Sequence, residues 1–221
     1  MKLYDLHVHT NESSECGHVD AKDVVRLYKN AGYSGIVITD HCIPRYVNNY
    51  KNVGEMLEKQ VEGYYAALKA AKDMELEVYY GCEFRFSEAN QTDYPVYGAE
   101  PDYFIKHDNL MYMPISEGLK SIRADGLKVF QAHPFRNNMR VTDPGLLDGI
   151  EIHNGHYDHN SRNEFAYMWA KHYGLTGISG SDFHEIEDLA RGGIICRDDV
   201  YNYGSLIKCI TNNDHKLIFS C

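Results

Sequence analysis

Asp5-Leu6-His7-Val8-His9-Thr10 closes the first apolar run of the chain, which begins at Leu3. Successive side chains of an extended segment point to opposite faces, so His7 and His9 share one face and can grip one ion or two adjacent ones. The pattern recurs. Thr39-Asp40-His41 ends a run from Gly35, and Glu83 follows Val78-Tyr79-Tyr80-Gly81-Cys82. Gln131-Ala132-His133 ends a run from Leu127, and Ser181-Asp182-Phe183-His184 follows Thr176 to Ser179. Imidazoles and carboxylates at successive strand ends are how a barrel gathers a metal cluster, because the loops at that face are free to vary.

Helical patterns lie between these runs. Asp20 offers an N-cap, and Ala21, Val24, Val25, Tyr28 and Ala31 repeat at helical spacing until Gly32. Val53, Met56, Leu57, Tyr64, Leu68 and Ala71 predict one long amphipathic helix to about Asp73. Phe165, Met168, Trp169 and His172 line another, which Gly174 ends. The alternation predicts an α/β fold, a parallel sheet closed or wound with helices outside. The segment from Phe86 to Tyr112, rich in aromatics, predicts a short strand near Tyr94 to Tyr97 among loops that wall a pocket, and the many tyrosines predict an aromatic side to it.

A chain of 221 residues fits a single domain over 1–221 with a substantial core. No apolar stretch approaches the roughly 20 residues that span a bilayer. Met1-Lys2-Leu3-Tyr4-Asp5 runs into the first motif without a secretory leader. Cys16, Cys42, Cys82, Cys196, Cys209 and Cys221 are scattered without C-x-x-C spacing, which predicts free thiols in a reduced cytoplasm. The net charge of -10 disfavours long nucleic-acid partners. Divalent cations at a site would reverse the sign locally and admit a small anionic substrate.

Taken in order, Asp-Leu-His-Val-His-Thr at 5–10, Thr-Asp-His at 39–41, Gly-Cys-Glu-Phe at 81–84, Ala-His-Pro at 132–134 and Gly-Ser-Asp-Phe-His at 180–184 resemble the PHP (polymerase and histidinol phosphatase) family. The resemblance implies a distorted seven-stranded (β/α)7 barrel, TIM-like, with a two- or three-metal centre that hydrolyses phosphoesters. It places His7, His9, Glu83 and Asp182 around one ion. Glu83 would bridge to a second ion that also takes His133. A third would use His41, His184 and a side chain of the first loop, where Glu15 is expected, with His18 and Glu12 as rivals. A nitrogen and oxygen ligand set without thiolate suits Zn, Mn or Fe better than Mg. The family's second site often takes another histidine after the fourth strand. Ala99 stands in the corresponding stretch Val96-Tyr97-Gly98-Ala99-Glu100-Pro101, with Glu100 and His107 near enough in sequence to compensate.

Each residue also has a plainer reading. A lone His9 or His41 is an ordinary hydrogen-bonded core histidine; the case for ligation rests on the set. Glu83, buried without a cation, would cost several kcal/mol or be forced to protonate. Asp5 and Asp40 are expected to orient imidazoles, and Cys42 and Cys82 to alternate away into the core. His153, His156 and His159 form a dense cluster, expected to be a polar substrate-facing loop from which only His153 reaches the centre.

The expected activity is hydrolysis of a small phosphomonoester, histidinol-phosphatase-like, by a metal-activated hydroxide. Asp182, His184 or His133 would carry protons. Arg85, Arg136, Arg162 and Arg191, with His153, would bind the phosphate. Two other readings stand beside it. A nuclease or nucleotide phosphodiesterase requires a basic or aromatic groove. A non-catalytic metal-binding regulatory domain has Ala99 as its only support.

Overall fold

Ten strands and seven helices alternate along residues 1–220, the residues that the computed structural model describes. Cys221 lies outside them. The strands are β1 (Lys2–Val8), β2 (Gly35–Ile38), β3 (His41–Cys42), β4 (Glu77–Phe84), β5 (Tyr94–Tyr97), β6 (Lys128–Gln131), β7 (Gly149–Asn154), β8 (Thr176–Gly180), β9 (Gly192–Cys196) and β10 (Lys216–Phe219). The helices are α1 (Ala21–Asn30), α2 (Val53–Gln60), α3 (Glu62–Ala71), α4 (Tyr103–Lys106), α5 (Ile115–Ala124), α6 (Asn163–Tyr173) and α7 (Tyr203–Thr211).

The barrel runs β1-β2-β4-β5-β6-β7-β8, the seven-stranded TIM-like architecture expected. Its seam closes beside the first motif: His9 N–H donates to Phe183 O at 3.0 Å and Phe183 N–H to His7 O at 3.2 Å. The start of β1 instead pairs antiparallel with β9, and β10 extends that edge, so the sheet carries strands beyond the seven. One strand breaks the expected parallel order: β5 is antiparallel to both β4 and β6. Its first residues therefore lie at the ligand end of the barrel and its last at the far end.

Local chemistry explains the remaining differences. The single helix expected from Val53 to Asp73 is two, α2 and α3, breaking at Val61. Gly63, in the first turn of α3, abuts Thr10 Oγ1 and Asp40 Oδ2 so closely that any Cβ would collide with both. The Asp20 side chain makes no cap bond; the Glu12 carboxylate accepts the Ala21 N–H of α1 instead. In α6 the buried residues are Ala166 and Ala170, while Phe165 and Met168 face outward. The alanines lie in one apolar cluster with Ile150 and Ile152 of β7, so the apolar spacing in α6 did not mark its packed face. Tyr4, Tyr28, Tyr80, Tyr94 and Tyr97 are core residues. In the segment from Phe86 to Tyr112 the expected short strand is present as β5, and the short helix α4 stands where only loops were expected. Cys42 and Cys82 are buried free thiols. No helix among the described residues is long and apolar enough to cross a membrane.

Candidate metal centre

The strand ends bring His7, His9, Glu83 and Asp182 into one fully buried group whose ligand atoms lie within 4.8 Å of one another. Glu83 Oε2 is 3.3 Å from both His7 Nε2 and His9 Nε2, and Asp182 Oδ1 is 3.3 and 3.4 Å from the same nitrogens. His41 Nδ1 reaches Glu83 Oε2 at 2.9 Å, and His133 Nε2 reaches Glu83 Oε1 at 3.3 Å. Glu83 thus has both oxygens turned toward imidazoles. His9, His41 and His184 make a second group, and His41, Glu83 and Asp93 a third. His133 and Asp182 take φ of 29° and 55°. Non-glycine residues in that region carry strain of order 1 kcal/mol, and such strain gathers at functional sites.

Hydrogen bonds at the back of the rings fix their tautomers. His7 Nδ1–H donates to Glu151 Oε1 at 2.9 Å, which leaves the Nε2 lone pair facing Glu83 and Asp182. His184 Nδ1–H donates to the Asp182 carbonyl at 2.8 Å. His9 Nδ1 meets Ser14 Oγ at 3.2 Å, and Ser14 donates its own proton to Asp40 Oδ1 at 2.7 Å, so His9 is the donor to the serine. Asp40 therefore acts on His9 through Ser14. Asp5 orients no imidazole: it accepts from His7 N–H, Tyr28 Oη–H and Ser181 N–H.

His7 Nε2, His9 Nε2, His41 Nδ1 and both oxygens of Glu83 are buried without a hydrogen-bond partner among the described residues. Each such atom forfeits roughly 1–3 kcal/mol, more where charged. Converging neutral nitrogens and carboxylate oxygens fit a divalent cation. Without one, protons gather there. Burial lowers the His7 pKa, but Asp182, Glu83 and Glu151 raise it well above its ordinary value. Burial likewise opposes the His9 charge, yet Asp182 and Glu83 raise its pKa to about 9. Burial and the charge of His9 push His184 down to about 2. Glu83 and Asp182, despite burial, sit well below the carboxylate range because His7 faces both, with His41 beside Glu83 and Arg136 beside Asp182.

A cation must displace the His7 and His9 protons, so loading should release about two protons per chain at pH 7, and affinity should climb with pH toward 9. Titration calorimetry in buffers of different ionisation enthalpy reads the number. A binding heat independent of buffer would contradict it.

Above the cluster is a cavity of about 680 Å³. His18, His41, Asp93, His133, His156, His159, Asp182 and His184 line it, with Arg45, Arg85 and Arg136 as its cations. Arg136 Nη2 donates to Asp182 Oδ2 at 2.8 Å, Asn154 Oδ1 at 2.7 Å and Ser161 Oγ at 3.2 Å. Arg85 grips Asp93 through Nε and Nη2, each at 2.6 Å.

Other expected residues lie elsewhere. Glu15 is exposed and accepts from Asn49 Nδ2 at 2.7 Å, outside the groups above. Arg162 holds Phe135 O and Asn137 Oδ1, and Arg191 Nε–H donates to Gly155 O at 2.7 Å; neither lines the cavity. His153 faces away, against Phe219, Ser220 and the Arg191 carbonyl. The cause is a register shift in β7 between Glu151 and His153, which turns Glu151 and Asn154 inward instead. Ala99 follows antiparallel β5 and so sits at the far end of the barrel; Asp93, the residue just before β5, is the one that joins His41 and Glu83. His107 bonds the Tyr103 carbonyl, away from the site, and Glu100 is exposed. No Phe, Tyr or Trp among the described residues lines the cavity, so its walls are polar rather than lined by these aromatics.

A family model, PHP domain, matches residues 5–215. The chain belongs to the PHP domain family. That family comprises metal-dependent phosphoester hydrolases. Solved structures share the fold. A two-domain protein of Bacteroides vulgatus containing a predicted PHP-like metal-dependent phosphoesterase superposes with a TM-score of 0.71 at 16% identity, over 99% of this chain and 65% of that one. The chain therefore spans just under two thirds of that protein. A lesion-specific endonuclease of Pyrococcus furiosus gives 0.68 at 14% identity, over 98% and 57%. An amidohydrolase of Chromobacterium violaceum with bound sulfate gives 0.56 at 17% identity, over 84% and 89%. No curated protein sequence matches this PHP chain.

Proposed function

We propose that this PHP chain hydrolyses a small phosphomonoester, histidinol-phosphatase-like in reaction, with two or three divalent ions drawn from Zn, Mn and Fe. The observation that carries the reading is the cavity, which has the size of a small-ligand site and places three arginines on its walls and no stacking aromatic. A single-strand nuclease uses aromatic platforms along a cationic groove. His7, His9, Glu83 and Asp182 would hold one ion, with Glu83 shared toward His133 and with His9, His41 and His184 grouped for another. When bound, the ions would polarise a phosphoryl oxygen and bring water within reach of ionisation near neutral pH.

The chain's own groups divide the remaining work. Arg136 Nη1 makes no hydrogen bond within the described residues, so its N–H groups are available to a phosphoryl oxygen. Arg85 is charge-compensated by Asp93 and orients more than it attracts. Arg45 has no carboxylate partner among the described residues and stands exposed at the cavity edge, over the Tyr46 ring. Asp182 has Oδ2 on Arg136 and Asn154 and Oδ1 in the ligand group, and His184 has its Nδ1 fixed, so both hold a cation rather than move a proton. His133, with an unengaged Nδ1, is the remaining proton carrier.

Metal-stripped protein reloaded with Mn²⁺ or Zn²⁺ should turn over nitrophenyl phosphate at least about tenfold faster than its bis-ester, a difference of about 1.4 kcal/mol. Preference for the bis-ester would favour the nuclease reading. Inertness toward both, with ions bound, would favour the non-catalytic one. A panel of phosphorylated metabolites then addresses the substrate.

A further inference from the structure

His156 lines the cavity with one nitrogen engaged and the other without a hydrogen bond among the described residues. The Asp158 backbone N–H donates to His156 Nδ1 at 3.2 Å. A nitrogen that accepts a backbone hydrogen bond cannot carry a proton itself, so the ring is held as the tautomer with hydrogen on Nε2. That N–H makes no hydrogen bond among the described residues, although the side chain is only 10% exposed and lines the cavity.

The ring is also held in place. Its backbone N–H donates to Asn154 Oδ1 at 3.2 Å. It stacks on Tyr157 at 5.6 Å and 10°, and Tyr157 is tied by its hydroxyl to Glu185 and by its N–H to Asp188. His159 and His184 pack at 4.4 and 5.2 Å. Arg191 secures the same loop by donating to the Gly155 carbonyl, and a Cβ at Gly155 would meet the Arg191 backbone at 2.5 Å. Asp188 already accepts from the backbone N–H groups of Tyr157, His184 and Glu185, so His156, His184 and Asp188 are poorly suited to share a cation.

We propose that His156 is a substrate-contacting residue whose Nε2–H donates to a phosphoryl oxygen held in the cavity, alongside Arg136. The proposal rests on the phosphomonoesterase reading. A preorganised donor of this kind acts on an anion without a cost of reorientation.

The test uses metal-loaded protein and inorganic phosphate as the probe, with affinity read by calorimetry. His156→Phe keeps the stacked ring and removes the donor; His156→Gln restores an N–H near the same place. Phosphate affinity should fall about 10- to 150-fold in His156→Phe, the range for a hydrogen bond to a charged acceptor. It should stay within about threefold in His156→Gln, with metal content and melting temperature unchanged in both. Unchanged affinity in His156→Phe would overturn the assignment. Loss of metal from His156→Phe would also overturn it, by making the ring a ligand. A wild-type protein that binds phosphate but turns over no monoester would instead defeat the functional reading and leave the donor in place.

Discussion

Glu83→Gln should strip the centre of more than one ion and lower turnover at least about a hundredfold. Both Glu83 oxygens are buried without a hydrogen bond, and His7, His9, His41 and His133 all face them. Glutamine keeps the shape but replaces one acceptor oxygen with an N–H₂ donor aimed at imidazole lone pairs. It also removes the negative charge that all four of these imidazoles face, leaving Asp182 alone to face Nε2 of His7 and His9, and with it several kcal/mol of the charge stabilisation that ions contribute to phosphoryl transfer. Metal content and rate should fall together, read by elemental analysis and by nitrophenyl phosphate turnover. Retention of both would show that Glu83 does not lie between ions.

Arg136→Lys should cost roughly 10- to 100-fold in kcat/KM, equivalent to about 1.4–2.8 kcal/mol. Lysine keeps a positive charge beside Asp182 but loses the planar fork that joins Asp182, Asn154 and Ser161 on one side and leaves Nη1 for substrate on the other. Monoester turnover should suffer more than diester turnover, because the monoester carries the extra charge. Metal content should hold, since the charge that keeps Asp182 ionised survives. Unaltered monoester kinetics would remove Arg136 from the site and leave Arg85 and Arg45 as the phosphate's cations.

The strand-end residues were readable in the sequence because alternation in β1 and the apolar runs before Glu83 and Asp182 fix which way those side chains point. Where alternation fails, side-chain direction is not legible in the sequence. The register shift in β7 turned His153 out and Glu151 in. The antiparallel course of β5 moved Ala99 away from the ligand groups and put Asp93 beside Glu83; a parallel βα pattern gives no hint of such a reversal. In the first loop no periodicity exists, so nothing separated Glu15, which turns to Asn49, from Ser14, which bears on His9. Glu151 did leave a signal, a carboxylate inside the apolar run Gly149-Ile150-Glu151-Ile152. Arg45 left none, because its place at the cavity edge comes from the turn after β3.

His7, His9, Glu83 and Asp182, with His41, His133 and His184 around them, are expected to hold more than one ion. Elemental analysis of protein purified without chelator, repeated after dialysis against Mn²⁺, Fe²⁺ or Zn²⁺, tests it most directly. Two or more ions per chain are expected. A content near zero that none of the three metals restores would show that these side chains hold no metal.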